Sequence, residues 1–233
     1  MSDPLVTYAH DDGVATLTMD DGSVNAMSPT MLSALHGAFD RAESDGGVVL
    51  LTGRPGIFSA GFDLKVLAEG AGAAREMLTL GATLAERILS FPHPVVTACT
   101  GHAYPAGAFL MLAADRRLGV DGPFRIGLNE VAIGLTLPYF AVELARHRLT
   151  PAWFQRATTG DLVAPQEAVA AGFLDEVVEP DALAARSREV AVGLTQIDLT
   201  AHRGTKARVR EAAARDVRAA IERELTPPEE APA

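Results

Sequence analysis

The chain lacks most features that mark membrane, secreted or disulfide-bonded proteins. A single cysteine among 233 residues, Cys99, excludes an intramolecular disulfide and a zinc site built from several cysteines. No apolar run approaches the roughly 20 residues that a membrane-spanning helix needs, and the polar N-terminus shows no secretory signal pattern. We therefore expect a soluble, cytoplasmic protein that does not associate with a membrane.

The sequence also has fewer basic than acidic residues and no histidine spacing typical of a metal site. The net charge of −10 and the lack of a dense Lys/Arg run argue against a nucleic-acid-binding surface. The six histidines show no HxxxH or HExxH spacing, so we expect no metal site. Neither Gly-x-Ser-x-Gly nor Gly-x-Gly-x-x-Gly occurs, which leaves hydrolase and dinucleotide-binding interpretations without support.

Strand and helix patterns alternate over the first part of the chain. Residues 5–8 and 14–19 flank Asp11-Asp12-Gly13, which predicts a hairpin. Ser28-Pro29 predicts the start of a helix, because serine is a good N-cap and proline suits the first helical position. Further strands are predicted at 48–52, 94–100 and 117–120, and helices at 73–90 and 106–114. The alternation predicts βαβ units in a layered α/β core.

From about residue 137 onward, the patterns predict helices and no further strands. The predicted helices cover 138–147, 151–159, 165–171, 181–194 and 200–224. We therefore divide the chain into a core at 1–190, a C-terminal helical region at 191–225 and a disordered Pro- and Glu-rich tail at 226–233. The apolar stripe Val209, Ala213, Val217 and Ile221 packs either against the core or against another protein surface.

The residues with catalytic potential lie in three segments. Glu130 is a lone carboxylate, because the residues that follow it offer no charged partner. Two glycine-containing turns, 59–64 and 105–108, could each present a free backbone N–H group. A general base with two N–H donors is what removing a proton next to a carbonyl requires. Glu130 is therefore the principal catalytic candidate.

Three sequence segments together resemble the crotonase superfamily, also called the enoyl-CoA hydratase/isomerase family. They are Val24-Asn25-Ala26-Met27, Phe58-Ser59-Ala60-Gly61-Phe62-Asp63-Leu64 and Gly101-His102-Ala103-Tyr104-Pro105-Ala106-Gly107. Their order and spacing make the resemblance specific, and it extends over roughly residues 5–180. It implies a spiral of ββα turns followed by a C-terminal helical region that assembles trimers or hexamers.

The resemblance also implies roles for individual residues. Glu130 would be catalytic, and the backbone N–H groups of Phe62 and Ala106 would hold the oxygen of an acyl-CoA thioester. The implied substrate-binding residues are Asn25, Ala26, Ala60, Gly61, Phe62, Asp63, Leu64, Gly107 and Phe109. The backbone near Ala60 and Leu64 would hold the adenine ring of CoA, although Asp63 by residue type is a helix N-cap. No cofactor beyond the CoA thioester of the substrate is implied.

Position 109 favours one branch of the superfamily. Family hydratases carry a second catalytic glutamate at the position that matches Phe109, whereas Δ3,Δ2-enoyl-CoA isomerases work with the glutamate that matches Glu130. One carboxylate can take a proton from C2 and return it at C4, but it cannot also orient a water molecule for hydration. We therefore predict an isomerase; a hydratase and a non-catalytic acyl-CoA-binding protein are the alternatives. Phe109→Glu should raise hydration of a 2-enoyl-CoA if the geometry is as proposed, and an unchanged rate would count against this assignment.

Two further expectations concern substrate contacts. The side chains expected to set acyl length are Phe62, Leu67, Met77, Tyr104 and Leu135, and the Gly-rich segment 69–74 should border the acyl pocket. Family hydratases often carry Arg-Pro where this chain has Asp20-Asp21-Gly22-Ser23, so one phosphate contact is in doubt. Lys65, Arg54 and Lys206 are the basic candidates to replace it. His102 should be a hydrogen-bonded turn residue.

Overall fold

The structure, a computed structural model, describes residues 3–226 and contains two β-sheets surrounded by helices. The strands are β1 (Val6–Asp11), β2 (Val14–Met19), β3 (Val48–Thr52), β4 (Gly56–Ser59), β5 (Val95–Cys99), β6 (Gly101–Ala103), β7 (Arg116–Val120), β8 (Ile126–Gly127), β9 (Leu162–Val163) and β10 (Glu176–Val178). The helices are α1 (Pro29–Asp45), α2 (Leu64–Ala68), α3 (Ala71–Ser90), α4 (Pro105–Ala113), α5 (Tyr139–Arg148), α6 (Pro151–Arg156), α7 (Pro165–Ala171), α8 (Leu183–Leu194) and α9 (Leu199–Leu225), with 3₁₀ turns at Val131–Ile133 and Ala157–Thr159.

The larger sheet has six strands in the order β1-β2-β3-β5-β7-β10, all parallel except the β1-β2 pair. The predicted hairpin joins β1 and β2, and Asp12 (φ 48°) and Gly13 (φ 72°) form its two-residue turn. Two consecutive positive φ angles give the turn type that matches the strand twist. The predicted helix start is also confirmed, because the Ser28 side chain accepts the N–H of Met31 and Pro29 is the first residue of α1.

The smaller sheet has the order β4-β6-β8-β9 and accounts for the spiral. The consecutive pairs β3-β4, β5-β6 and β7-β8 each place one strand in each sheet, and one or two helices follow each pair. The expected ββα spiral of a crotonase-like α/β fold is therefore confirmed. Helix α4 packs against β4, β6 and β8, so the smaller sheet lies directly beside the start of this helix.

The prediction that strands end near residue 137 is wrong. Strand β9 pairs antiparallel with β8, and β10 pairs in parallel with β7 at the edge of the larger sheet. These strands have two and three residues. Segments so short carry no readable alternation of apolar and polar residues, so only pairing with a distant strand defines them.

Helix α9 packs along α3 and α5. On its apolar stripe Val217 is buried, and Ala213 and Ile221 are partly buried against the core, whereas Val209 is 70% exposed. Core packing thus explains three of the four stripe positions. The predicted boundary at residue 190 falls inside α8, which covers one face of the larger sheet. The predicted disordered tail lies outside the described residues except for Thr226.

Two buried cations attach α9 to the core. The Lys206 ammonium donates to a carboxylate oxygen of Asp115 at 2.7 Å, and the Arg210 guanidinium lies 2.8 Å from the other oxygen. The remaining donors of both side chains reach backbone carbonyl groups at the ends of α3 and α4, including those of Leu89 and Ala113. Positive charge is favourable there, because the last carbonyl groups of a helix lack partners within the helix. No helix among residues 3–226 is long and apolar enough to cross a membrane.

Loss of the Asp115 carboxylate should strongly destabilise the protein. Asp115→Ala leaves Lys206 and Arg210 buried without an anion, and removing one partner of a buried ion pair costs about 3–5 kcal/mol. The free energy of unfolding is measured by urea denaturation. Asp216→Ala, which removes a carboxylate that is 46% exposed, is the control and should change stability by less than about 1 kcal/mol. An equal effect of both substitutions would contradict the proposed role of Asp115.

Candidate active site

The turn after β4 is joined to the loop before α1 by a set of buried hydrogen bonds. The Asn25 side-chain amide donates to the carbonyl oxygens of Met19 and Phe58, and the Ser59 hydroxyl donates to the carbonyl of Asn25 at 2.7 Å. The Ser59 oxygen also accepts the N–H of Gly61 at 3.1 Å. Asn25 is fully buried and has a φ of 50°. Asn25 therefore fixes the shape of this turn from within.

The neighbouring loop is held by Asp21. Its carboxylate accepts the N–H groups of Ser23, Asn25 and Ala26 at 2.8–3.0 Å. Partial burial opposes ionisation, but these backbone N–H groups outweigh it and lower the pKa of Asp21 below its ordinary value. The segment that stands in place of Arg-Pro thus has a structural function in this chain.

Two glycines allow the turn after β4 to lie against the start of α4. Gly61 has a φ of 97°, and a Cβ atom there would lie 3.5 Å from Cδ of Pro105 and 3.8 Å from the backbone nitrogen of Ala106. At Gly107 a Cβ would lie 2.9 Å from Cβ of Ser59, closer than real Cβ atoms approach. A larger residue at position 107 would therefore push the two segments apart.

Both predicted N–H donors are free in this arrangement. Among residues 3–226, no backbone or side-chain acceptor bonds the N–H of Phe62 or of Ala106. Ala106 is the second residue of α4, where the helix itself supplies no acceptor and where its dipole is positive. The two N–H groups are therefore available to an oxygen atom of a ligand.

Glu130 lies three residues after the end of β8 and begins a 3₁₀ turn. It is only 6% exposed, and neither carboxylate oxygen has a hydrogen-bond partner in the described chain. Burial raises the pKa of Glu130 from an ordinary 4.5 to about 7, although its own backbone N–H acts in the opposite direction. A carboxylate with such a pKa can both accept and release a proton near neutral pH.

The apolar residues that follow Glu130 do not all face its carboxylate. Val131, Ile133 and Leu135 have exposed fractions of 46%, 51% and 43%. Ile133 and Leu135 border the same cavity as Glu130, whereas Val131 does not. Three residues per turn set the side chains of Val131 and Ile133 about 120° apart, so these two residues face different directions.

The cavity that contains Glu130 has a volume of about 290 Å³. Five of the predicted site residues line it, namely Ala60, Gly61, Phe62, Leu64 and Glu130. Glu130 and the turn that contains Phe62 therefore line the same cavity. Pro105, the first residue of α4, lines it as well. The Phe62 N–H belongs to the cavity wall, and the Ala106 N–H lies one residue beyond the lining residue Pro105. A base with two such N–H groups can remove a proton next to a carbonyl whose oxygen those groups hold.

The other predicted substrate-binding residues do not line this cavity. Asn25 and Ala26 belong to the loop described above, and Ala106 and Gly107 form the start of α4. Asp63 is the N-cap of α2, since its side chain accepts the N–H of Lys65 at 2.9 Å. These residues support the segments that form the cavity wall. Among them, Ala106 is the residue whose backbone N–H could still reach a ligand.

Phe109 lies behind Phe62 in the core. Its ring is 2% exposed, with its centroid 6.3 Å from that of Phe62 and 5.2 Å from that of Phe140. Phe62, not Phe109, lines the cavity. Gly81 makes this packing possible, because a Cβ there would lie 2.5 Å from Cε1 of Phe62. The sequence shows no sign of this role of Gly81, since the contact joins two distant segments.

Three of the five residues predicted to set acyl length line the cavity. Phe62, Leu67 and Leu135 line the cavity, whereas Met77 is fully buried in the core and Tyr104 stacks on His102. The segment 69–74 does not line it. The residues that sequence reasoning missed are Leu78, Asn129, Thr136, Pro138 and Glu224. The carbonyl oxygen of the Asn129 side chain is buried and has no partner among residues 3–226, a signal that only the structure reveals.

Three basic residues were candidates for a phosphate contact, and the structure separates them. Lys206 is buried in its ion pair with Asp115 and is not available. Arg54 donates to the carbonyl of Ser23 and lies 3.4 Å from Asp20, so it supports the neighbouring loop. Lys65 is exposed on α2, next to the cavity residue Leu64. Lys65 is therefore the basic candidate that the structure favours.

His102 was predicted to be a hydrogen-bonded turn residue. It is hydrogen-bonded, because its Nδ1 accepts the N–H of Arg125, but it lies in β6 and not in a turn.

The two-sheet ββα spiral and the carboxylate beside two free N–H groups define a crotonase-fold enzyme. The family model described as enoyl-CoA hydratase/isomerase matches residues 9–230. The chain belongs to the enoyl-CoA hydratase/isomerase family.

Individual relatives support this assignment. The structure of an enoyl-CoA hydratase/isomerase family protein from Pseudomonas syringae is 48% identical, with a TM-score of 0.93 over 95% of this chain and 96% of that one. An enoyl-CoA isomerase from Mycobacterium tuberculosis is 44% identical, with a TM-score of 0.90 over 95% of this chain and 97% of that one. A probable enoyl-CoA hydratase from Bacillus subtilis is 32% identical over 79% of this chain and 76% of that protein. Isomerases and hydratases thus both occur among the relatives.

Glu130→Gln should stabilise the protein at alkaline pH. The folded-state pKa of about 7 lies above the ordinary 4.5, so ionisation of Glu130 lowers the free energy of unfolding as pH rises between these values. Glutamine cannot ionise, and the variant should exceed the wild type by up to about 3 kcal/mol at pH 8. The difference should vanish near pH 4. Urea denaturation at both pH values measures it, and an equal difference at both would contradict the raised pKa.

Proposed function

We propose that the protein is an enoyl-CoA isomerase that moves a double bond from Δ3 to Δ2. The observation that supports this most directly is the buried carboxylate of Glu130, which shares a cavity with Phe62 and has no hydrogen-bond partner among residues 3–226. Within the same residues the N–H groups of Phe62 and Ala106 are also without an acceptor. The relative from M. tuberculosis is named an enoyl-CoA isomerase in one structure and a probable enoyl-CoA hydratase in another, so the proposal rests on the site and not on that name.

The reaction needs one acid/base group and two N–H donors. The Glu130 carboxylate takes a proton from C2 of the 3-enoyl thioester, and the electron pair of that C–H bond moves toward the thioester oxygen. The N–H groups of Phe62 and Ala106 stabilise the resulting enolate, a contribution of the order of 10²–10³ in rate for each donor. Glu130 then returns the proton to C4, the double bond forms between C2 and C3, and the carbonyl is restored. No cofactor beyond the CoA thioester of the substrate takes part.

Hydration is the second candidate, because relatives such as that from B. subtilis are named probable enoyl-CoA hydratases. Adding water requires a group that orients and deprotonates the water while another protonates C2. Phe109 supplies no carboxylate, and its ring is separated from the cavity by Phe62. A second carboxylate, Glu224, does line the cavity, but one of its oxygens accepts the N–H of Tyr139. Isomerisation therefore fits the site better.

The remaining features of the family resemblance are part of this proposal. The backbone near Ala60 and Leu64 would hold CoA, with Lys65 as the candidate for a phosphate contact. The protein would assemble as a homotrimer or hexamer through its C-terminal helices. Val131, Ile133 and Leu135, which are exposed and apolar, are suited to a subunit interface. The cytoplasmic location stays a prediction.

Glu130→Gln should abolish most isomerisation of a 3-enoyl-CoA. General acid–base catalysis contributes about 10²–10⁴ in rate, so we expect kcat to fall about 10³-fold. For the wild type, kcat/KM should rise about tenfold per pH unit below pH 7 and level off above it, because the base must be ionised. The absorbance of the conjugated 2-enoyl thioester measures the rate. A pH-independent kcat/KM between pH 5 and 8 would contradict Glu130 as the base.

The wild type should isomerise a 3-enoyl-CoA at least about 100-fold faster than it hydrates a 2-enoyl-CoA, since the missing second acid/base group is worth about 10²–10⁴. Product analysis of both incubations gives the ratio. Phe109→Glu is a poor substitute for this test, because the new carboxylate would be buried behind Phe62 without a partner. Comparable rates of the two reactions would favour the hydratase.

A further inference from the structure

The end of α9 is attached to the start of α5 by two consecutive residues. A Glu224 carboxylate oxygen accepts the N–H of Tyr139, the first residue of α5, at 2.8 Å. Arg223 donates to the Tyr139 hydroxyl at 2.9 Å, and its guanidinium carbon lies 3.9 Å from the centre of the ring. Leu225 is buried next to them. The last turn of α9 therefore has a defined position relative to α5.

Glu224 replaces a helix cap that α5 lacks. The N-cap residue, Pro138, has no side-chain oxygen and makes no capping bond, so the N–H of Tyr139 needs another acceptor. A carboxylate is well suited, because the first turn of a helix carries a partial positive charge. The Glu224 side chain is therefore attached to α9 through its backbone and to α5 through its hydrogen bond with the Tyr139 N–H.

Glu224 also lines the cavity that contains Glu130, and its side chain is exposed to solvent at the cavity edge. Most of the remaining wall is apolar and includes Leu67, Leu78 and Leu135. An alkyl chain that covers a carboxylate removes water from it without returning a hydrogen bond, which is unfavourable. The cavity volume of about 290 Å³ also lies at the lower end of the usual range of ~300–1,000 Å³ for ligand pockets.

We propose that Glu224 is a specificity-determining residue that restricts the site to short acyl groups of CoA thioesters. The inference rests on the proposed function only in that the acyl group occupies this cavity. A short chain ends before it covers the carboxylate, whereas a long chain must pass over it. Glu224 thereby limits the gain in affinity that additional methylene groups otherwise provide.

Binding of saturated acyl-CoA thioesters tests this without requiring turnover. The dissociation constants of hexanoyl-CoA and dodecanoyl-CoA are measured by titration calorimetry for the full-length wild type and for Glu224→Leu. Each buried methylene is worth about fourfold in affinity. If the leucine variant allows about two more methylene groups to be buried, its preference for dodecanoyl-CoA over hexanoyl-CoA should increase about 16-fold. A change below twofold would overturn the proposal.

Two further variants separate charge from side effects. Glu224→Gln keeps an oxygen that can accept the N–H of Tyr139 but carries no charge, so it should show part of the shift, about two- to fivefold. No shift in this variant, with a full shift in Glu224→Leu, would contradict desolvation of the charge as the cause. Glu222→Leu is the matched control, because Glu222 is an exposed glutamate of the same helical turn that does not line the cavity, and it should leave the preference unchanged.

The outcomes distinguish this inference from the proposed reaction. A shift in chain-length preference together with no isomerisation by the wild type would sustain the role of Glu224 and refute the isomerase. Normal isomerisation with an unchanged chain-length preference would support the isomerase and refute the role of Glu224. Thermal unfolding of each variant shows whether it is folded, and the glutamine variant keeps the test valid if loss of the cap unfolds Glu224→Leu.

Discussion

The candidate active site depends on the close approach of the turn after β4 to the first residues of α4. Gly107 permits this approach because a Cβ there would lie 2.9 Å from Cβ of Ser59, and Gly61 permits the turn because its φ of 97° is one that other residues rarely adopt. Hydrogen bonds of Asn25 hold the turn from the opposite side. Both segments must remain in place for two N–H groups to stay free at one cavity, since a small displacement would aim them at different points.

Two polar groups of the same site lower the free energy of unfolding. The Glu130 carboxylate and the Asn129 side-chain oxygen are buried without partners in the described chain, and each such group costs more than an exposed one. A ligand or an ordered water molecule can satisfy them, but the polypeptide does not. A binding site of this kind requires that the surrounding core be stable without its contribution.

Helix α9 contacts both the stable core and the candidate active site. Lys206 and Arg210 attach its middle to the ends of α3 and α4, where the carbonyl groups of those helices need donors. Its last turn caps α5 and contributes Glu224 to the cavity wall. One helix therefore braces α4, which carries the Ala106 N–H, and also contributes a residue to the cavity wall.

The sequence alone determined the features that arise from local interactions. The turn at Asp12-Gly13, the N-cap at Ser28 and most helix spans were predictable, because backbone conformation and periodicity act over a few residues. The order of motifs also identified Glu130 and the two N–H donors as candidates. Only the tertiary structure decided that Phe109 lies behind Phe62 and that Glu224 joins the cavity. Such contacts join segments far apart in the chain, and their formation depends on how the whole core packs.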